Sequence, residues 1–124
     1  MSKYRKYKNG IYGIRYNGHY IVPEGEGRKK TGFHVVDDRQ NVVFGTQESV
    51  DDCKWMIDIS MATKEEKELV KKLYALEIID LSIYYTQLLE RKNERPLNPK
   101  EQMMEKWLGP VRSRKADDKP LTEI

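Results

Sequence analysis

Cysteine and histidine carry the most reactive side chains in this sequence, and there are few of them. The chain holds one cysteine, Cys53, and two histidines, His19 and His34. Cys53 shares a helical spacing with neighbouring apolar residues, which predicts a buried thiol rather than a nucleophile. The histidines fall in predicted strands, and the three residues lack the clustered spacing of a zinc site. We therefore expect a binding protein rather than an enzyme, with no catalytic residue, no metal site and no cofactor.

The N-terminal segment has the composition of a nucleic-acid contact. Residues 3–8 read KYRKYK, in which tyrosines separate the cations Lys3, Arg5, Lys6 and Lys8. Cations of this kind meet phosphates, while aromatic rings stack on bases. A solvated chain end has the same composition, and the sequence leaves both interpretations open.

A glycine-containing loop adds a second group of cations. Residues 23–30 read PEGEGRKK and end in Arg28, Lys29 and Lys30. A phosphate-binding loop would need Gly-Lys-Ser/Thr leading into a helix, whereas the segment after this loop has the pattern of a strand. We predict a solvated hairpin loop, whose cations join Arg15 of the preceding hairpin as nucleic-acid-binding candidates.

Acidic residues form a second set of candidates, with an apolar anchor in the last helix. We predict that six acidic residues bind a basic surface of a protein partner: Asp37, Asp38, Asp51, Asp52, Glu77 and Asp80. Trp107 of the last helix is a further partner-binding candidate. Glu77 and Asp80 lie beside an apolar stripe, where a carboxylate is either paired internally or exposed at a contact surface. They lack the second ligand cluster that a metal site would need. Trp107 either packs within the protein or anchors a partner.

Length and composition limit the class of protein. A chain of 124 residues can form one domain with an adequate core. Hydrophobic residues make up 38% and charged residues 35% of the chain, which is typical of a folded, soluble protein. The chain has no apolar run of membrane-spanning length, and it has one cysteine. We therefore expect a cytoplasmic protein with no membrane partner.

The net charge of +3 hides a strong separation of charge along the chain. Residues 1–30 hold eight Lys or Arg against two Glu, whereas residues 31–62 hold two cations against six acidic residues. The rest of the chain is close to neutral. The N-terminal segment is therefore the main electrostatic feature, and its partner should be acidic.

The N-terminal half is predicted to form a four-stranded antiparallel sheet backed by one helix. Strands 11–16 and 19–22 flank Asn17-Gly18, a strong signal for a type I′ hairpin turn. Strands 33–36 and 42–44 form a second hairpin. A helix capped by Thr46 then runs from about residue 47 to 60, and its apolar face should pack on the sheet.

The C-terminal half is predicted to be helical. A long helix, 63–94, begins with a capping box formed by Thr63 and Glu66 and carries two apolar stripes that point in different directions. A short helix, 98–109, ends at Gly109-Pro110.

The predicted fold class is α+β. Residues 1–109 should form a single domain, in which a sheet-plus-helix part (10–60) precedes the helical part (63–109). Residues 110–124 are polar and of mixed charge, and we expect them to be disordered.

The N-terminal half also resembles known DNA-binding domains. Residues 9–22, NGIYGIRYNGHYIV, and 32–58, GFHVVDDRQNVVFGTQESVDDCKWMID, resemble small sheet-plus-helix domains of phage and mobile elements, such as the integrase arm-binding and AP2-like domains. The resemblance implies that a face of the sheet enters the major groove, with Arg15 and residues 28–30 at the matching basic positions.

The whole chain is also similar in type to anti-CRISPR proteins, which are phage inhibitors of effector nucleases. From this we expect a protein of a bacterial host cell that binds and inhibits or modulates a nucleic-acid-handling machine, such as a nuclease or another nucleoprotein complex. The alternative is an accessory protein that binds DNA or RNA directly through the basic arm and the sheet. A homodimer built on the long helix is a third hypothesis.

Overall fold

The computed structural model describes residues 4–25 and 32–121 and has an α+β fold. In these residues an antiparallel sheet of five strands precedes four helices. The chain divides into two compact units, Met1–Met61 and Ala62–Ile124. The elements in chain order are β1 (Arg5–Lys6), β2 (Tyr12–Tyr16), β3 (His19–Glu24), β4 (Gly32–Val36), β5 (Val42–Gln47), α1 (Val50–Met61), α2 (Lys64–Tyr74), α3 (Ile78–Glu94) and α4 (Pro99–Ala116).

The first unit holds the sheet, whose strand order follows the chain from β1 to β5. The sequence predicted four strands, and the additional strand is β1 in the basic N-terminal segment. A tight turn returns the chain to β2, because the Tyr7 N–H donates to the Ile11 carbonyl at 2.8 Å and Gly10 supplies a φ of 85°. β1 has only two residues, too few for an alternation pattern to reveal it.

The hairpin between β2 and β3 has the predicted turn. Asn17 and Gly18 have φ angles of 45° and 76°, as a type I′ turn requires. The two strands also approach closely at Gly13, where an added Cβ would lie 2.4 Å from the carbonyl oxygen of Ile21. Gly13 therefore fixes the position of β2 in the sheet.

Helix α1 packs on the sheet and completes the core of the first unit. Ile21 of β3, Val35 of β4, and Cys53 and Ile57 of α1 form a fully buried cluster. This arrangement confirms the predicted helix-backed sheet and the predicted burial of Cys53.

The start of α1 differs from the prediction. Thr46 was the predicted cap, but it lies in β5, where its hydroxyl donates to Glu24. The helix is capped instead by Ser49, whose hydroxyl accepts from the Asp52 N–H at 3.1 Å and donates to the Asp52 carboxylate at 3.0 Å. Pairing with β4 holds the segment around Thr46 extended, so a long-range interaction overrides the local capping signal.

The second unit contains three helices, because the predicted helix 63–94 is divided in two. The predicted capping box is present, since Thr63 and Glu66 each bind the other's backbone N–H through their side chains. α2 ends at Tyr74 and α3 begins at Ile78. Leu69 and Leu73 of the first apolar stripe lie in α2, whereas Ile83 of that stripe and the whole second stripe lie in α3.

The C-terminal end of α4 stabilises this break. The Lys115 ammonium donates to the carbonyl of Tyr74 at 2.9 Å and also to that of Leu76. Backbone carbonyls at the end of a helix lack partners within it, and a cation is favourable there. Lys115 therefore satisfies the end of α2 from a position about forty residues further along the chain.

α4 is longer than predicted. It begins after the predicted N-cap Asn98 but continues through Gly109 and Pro110, so the predicted end is wrong and residues 110–116 are helical rather than disordered. Val111 is fully buried, and this packing offsets the backbone hydrogen bond that proline removes from a helix. Over the described residues, no helix is both long enough and apolar enough to cross a membrane.

Candidate nucleic-acid interface

Four of the eight predicted nucleic-acid-binding cations lie together at one edge of the sheet. Edge strand β1, the turn after it and the neighbouring strand β2 carry these exposed side chains, which we call the basic edge: Arg5, Lys6, Lys8 and Arg15. The other four predicted cations, Lys3, Arg28, Lys29 and Lys30, lie outside the described residues.

The register of β1 and β2 decides which cations share a face of the sheet. Arg5 pairs with Gly13, and Lys6 pairs with Tyr12. Side chains alternate along a strand, and directly paired residues share a face. Arg5 therefore lies on the same face as Arg15, whereas Lys6 shares the other face with Tyr12. A polyanion that follows β1 would meet cations on both faces.

In the part of the chain that the structure describes, no residue of the basic edge forms an ion pair. Some cations of the second unit are paired: Arg95 donates to Glu101 at 2.8 and 3.0 Å, and these bonds hold the pKa of that carboxyl at about 2. Positive charge without an internal partner attracts anions and speeds their encounter. The basic edge is therefore available to an anionic partner.

Two tyrosine pairs accompany the basic edge. Tyr7 is fixed in the sheet, since its ring meets that of Tyr20 edge-on at 5.1 Å and its hydroxyl accepts from the Arg15 N–H at 3.0 Å. Tyr12 is 50% exposed, and its ring centroid lies 5.9 Å from that of Tyr4, with 31° between the planes. Tyr7 thus supports β1, whereas Tyr12 presents aromatic surface to solvent.

Two of the acidic residues predicted to bind a partner form hydrogen bonds within the first unit. Asp37 accepts from the N–H groups of Asn41 and Arg39, both at 2.9 Å, and these bonds hold the pKa of its carboxyl below the usual range. Asp52 is buried and belongs to the cap of α1. The other two acidic candidates of this unit, Asp38 and Asp51, are exposed.

The turn that contains Asp37 and Asp38 contacts the turn beside Lys8. The Asn9 side-chain amide donates to the Asp38 carbonyl at 3.3 Å, and the Gln40 amide donates to the Asn9 carbonyl at 3.0 Å. The structure therefore brings one acidic candidate near the end of the basic edge. Its negative charge opposes anion binding there.

The acidic candidates of the second unit lie at the start of α3. Glu77 occupies the N-cap position and is exposed, and Asp80 lies half-buried in the first turn, where negative charge favours the helix dipole. Ile79 and Ile83, one turn apart, are 65% and 49% exposed. The start of α3 thus presents apolar and acidic side chains together.

Trp107 lies inside the second unit. It is 1% exposed, and its indole N–H donates to the Glu66 carboxylate at 2.6 Å. The side chain therefore joins α4 to α2 and is not accessible as an anchor in this conformation.

Cys53, His19 and His34 have surroundings that suit structural roles. Burial raises the pKa of the Cys53 thiol to about 11, which disfavours the reactive thiolate at neutral pH. His19 Nδ1 lies 2.9 Å from the Asn17 carbonyl, and His34 Nδ1 lies 3.1 Å from Glu24 Oε1. Among residues 4–25 and 32–121, no group of three or more His, Cys, Asp or Glu side chains could hold a metal ion.

The structure also contains two polar clusters that the sequence did not indicate. The Tyr16 hydroxyl donates to the Asp58 carboxylate at 2.8 Å, and burial together with this bond raises the pKa of Tyr16 to about 12. The Glu24 carboxylate accepts from the Thr46 hydroxyl at 3.0 Å and lies beside His34. Strand register and packing create these contacts, so no local spacing pattern could have identified them.

Comparisons with family models, curated proteins and solved structures give no match for this chain. The resemblance of residues 10–60 to integrase arm-binding and AP2-like domains therefore stays a prediction from sequence. The features of the structure that bear on function are the basic edge, the exposed ring of Tyr12 and the start of α3.

Proposed function

We propose that the protein is a non-enzymatic accessory protein, of phage or mobile-element type, that binds nucleic acid through the basic edge. The observation that carries this proposal is the exposure of four cations on two adjacent strands and the turn between them, without an ion-pair partner in the described residues. Cations that neutralise phosphates release condensed counterions, which provides affinity for DNA or RNA without sequence recognition.

The position of the cations in the fold supports the proposal. β1 is an edge strand, so a nucleic-acid strand can follow it without displacing a neighbour in the sheet. The hydrogen bond from Arg15 N–H to Tyr7 and the close approach at Gly13 hold β1 and β2 in place. Cations on a rigid support lose less conformational freedom when they bind.

Fluorescence anisotropy with labelled DNA and RNA at low salt tests the proposal. The variant to compare is the basic-edge glutamine variant, in which Arg5, Lys6, Lys8 and Arg15 are each replaced by glutamine. We expect it to bind at least about tenfold more weakly than the unmodified chain, because four phosphate contacts are lost. Asp38→Asn should bind more tightly than the unmodified chain, because it removes a negative charge near Lys8.

The matched control removes the same charge from the second unit. Lys64, Lys71, Lys72 and Lys100 are exposed cations of α2 and α4, and replacing them with glutamine gives an equal change in net charge. This control should bind nearly as tightly as the unmodified chain. Equal weakening by both variants would mean that net charge, and not the basic edge, determines binding.

A second candidate function is supported by the start of α3. In this hypothesis the protein binds and inhibits an effector nuclease or a related nucleoprotein complex, as anti-CRISPR proteins do. Exposed Ile79 and Ile83 supply apolar contact area, and Glu77 and Asp80 supply charge that suits a basic nucleic-acid channel.

Nuclease assays with guide-loaded effector complexes test this second candidate. The unmodified protein should slow cleavage, and the double variant Ile79→Ser/Ile83→Ser should not, whereas Val42→Ser, at an equally exposed position of the sheet, should retain inhibition. Unchanged cleavage at large excess of protein would eliminate the candidate. Sedimentation of the unmodified chain and of the Ile79→Ser/Ile83→Ser variant also tests the homodimer hypothesis. A monomeric mass for the unmodified chain excludes a homodimer.

A further inference from the structure

The exposed ring of Tyr12 indicates which form of nucleic acid the basic edge would prefer. Tyr12, Ile14 and Tyr16 alternate along β2 and so share one face of the sheet. Ile14 and Tyr16 pack against the core cluster that includes residues of α1, whereas half of Tyr12 remains in contact with solvent. A large aromatic side chain is therefore held at the basic edge, outside the core.

The surroundings of Tyr12 resemble a stacking platform. Lys6 pairs with Tyr12 across the strands, so the two side chains project from the same face of the sheet. The Tyr4 ring lies 5.9 Å away at a shallow angle and restricts the orientation of Tyr12. An oriented aromatic face beside a cation suits a base and its phosphate.

We infer that the basic edge binds single-stranded nucleic acid, DNA or RNA, by stacking a base on Tyr12 while Lys6 neutralises a neighbouring phosphate. This inference rests on the proposed function and adds the preferred form of the ligand. In a duplex the bases are already stacked and paired, and exposing one costs free energy. A single strand offers its bases without that cost, so Tyr12 contributes to single-strand binding and not to duplex binding.

Fluorescence anisotropy at one salt concentration tests the inference with three labelled probes: oligodeoxythymidine, oligouridine and a random-sequence DNA duplex. Tyr12→Ala should weaken binding of both single strands by roughly 5- to 150-fold, the range found when a stacking aromatic is removed. Duplex affinity should change less than about threefold. Tyr84 on α3 is 46% exposed, nearly as much as Tyr12, so Tyr84→Ala is the matched control and should have no effect.

Two further variants separate stacking from general stabilisation of β2. Tyr12→Phe keeps the ring and should bind single strands like the unmodified chain, whereas Tyr12→Leu keeps apolar bulk and should bind like Tyr12→Ala. Cross-linking of a bromouridine-containing oligonucleotide, read by mass spectrometry, should place the adduct on Tyr12.

Failure of the inference and failure of the proposed function are distinguishable. If all three probes bind in a manner that requires the basic edge and Tyr12→Ala has no effect, the stacking inference is overturned and the proposed function stands. If Tyr12→Ala and Tyr12→Leu weaken single-strand and duplex binding equally, the preference for single strands is overturned. If no probe binds at low salt, both fail.

Discussion

Replacement of Glu66 by alanine should destabilise the second unit by about 2–4 kcal/mol. The buried indole N–H of Trp107 would lose its acceptor at 2.6 Å, at a cost of about 1–3 kcal/mol. The capping box with Thr63 would lose one of its two hydrogen bonds, within the about 0.5–2 kcal/mol of a helix cap. The ion pair with Lys106 adds about 0–1 kcal/mol because that lysine is exposed. These contributions share one carboxylate, so they do not add fully.

Urea denaturation measures this loss of stability in the second unit. The chain has one tryptophan in each unit, so a Trp55→Phe background leaves Trp107 as the fluorescent reporter of the second unit. Circular dichroism on the same samples checks whether fluorescence and dichroism report the same unfolding transition. Glu65→Ala is the matched control, because Glu65 is an exposed acid in the same helical turn and should cost less than about 1 kcal/mol. Equal free energies of unfolding for the two alanine variants would refute the reasoning.

The pH dependence of the same difference provides a second check. Burial raises the pKa of Glu66, but the hydrogen bonds from Lys106, Trp107 and the Thr63 N–H outweigh it and hold the pKa below its usual range. A carboxyl with a lowered pKa in the folded state stabilises above its unfolded pKa, and the contribution is lost as the pH falls through the folded value. The stability difference between the unmodified chain and Glu66→Ala should therefore shrink below about pH 4.5.

Three other predictions follow from the fold. Gly13→Ala should destabilise the first unit by about 1–3 kcal/mol, because its Cβ meets the backbone of β3, whereas Gly45→Ala in β5 has open space and should be nearly neutral in urea denaturation. Pro110→Ala should stabilise the second unit by up to about 3 kcal/mol in the same assay, and Pro99→Ala at the start of α4 should change little. Because the pKa of Tyr16 is raised, its contribution to stability is present below pH 10 and is lost as the pH rises toward about 12. Absorbance titration should detect a tyrosine that ionises at this high pH. If the same high-pH ionisation persists in Tyr16→Phe, the assignment to Tyr16 is contradicted.

Features of the fold that depend on local chemistry were predictable from the sequence. The Asn17-Gly18 turn and the capping box at Thr63 and Glu66 require particular residue types at particular positions, and both are present. The burial of Cys53 followed from its helical spacing with apolar neighbours.

Features that depend on distant residues were not predictable. The division of the long helix and the extension of α4 are linked, because Lys115 at the end of α4 binds the carbonyls that the break at Tyr74 to Leu76 exposes. Local signals at Pro110 favoured a helix end, and the packing of Val111 together with the contacts of Lys115 opposes them.

The candidate site was predictable in its composition and not in its arrangement. The cations and tyrosines of KYRKYK indicated a nucleic-acid contact, but the sequence did not indicate that Arg5 and Lys6 form an edge strand. The register that places Lys6 beside Tyr12 depends on the turn at Gly10, which alternation alone does not reveal. The hydrogen bonds that the Asp37 carboxylate accepts from the N–H groups of Asn41 and Arg39 could not be foreseen from the sequence.

The most direct test of nucleic-acid binding through the basic edge is the salt dependence of binding to a single-stranded oligonucleotide. The logarithm of the binding constant should fall linearly with the logarithm of salt concentration. The basic-edge glutamine variant loses four cations, so its slope should be shallower than that of the unmodified chain by about 3. Identical slopes for the two proteins would contradict the account, because the phosphates would then contact other residues.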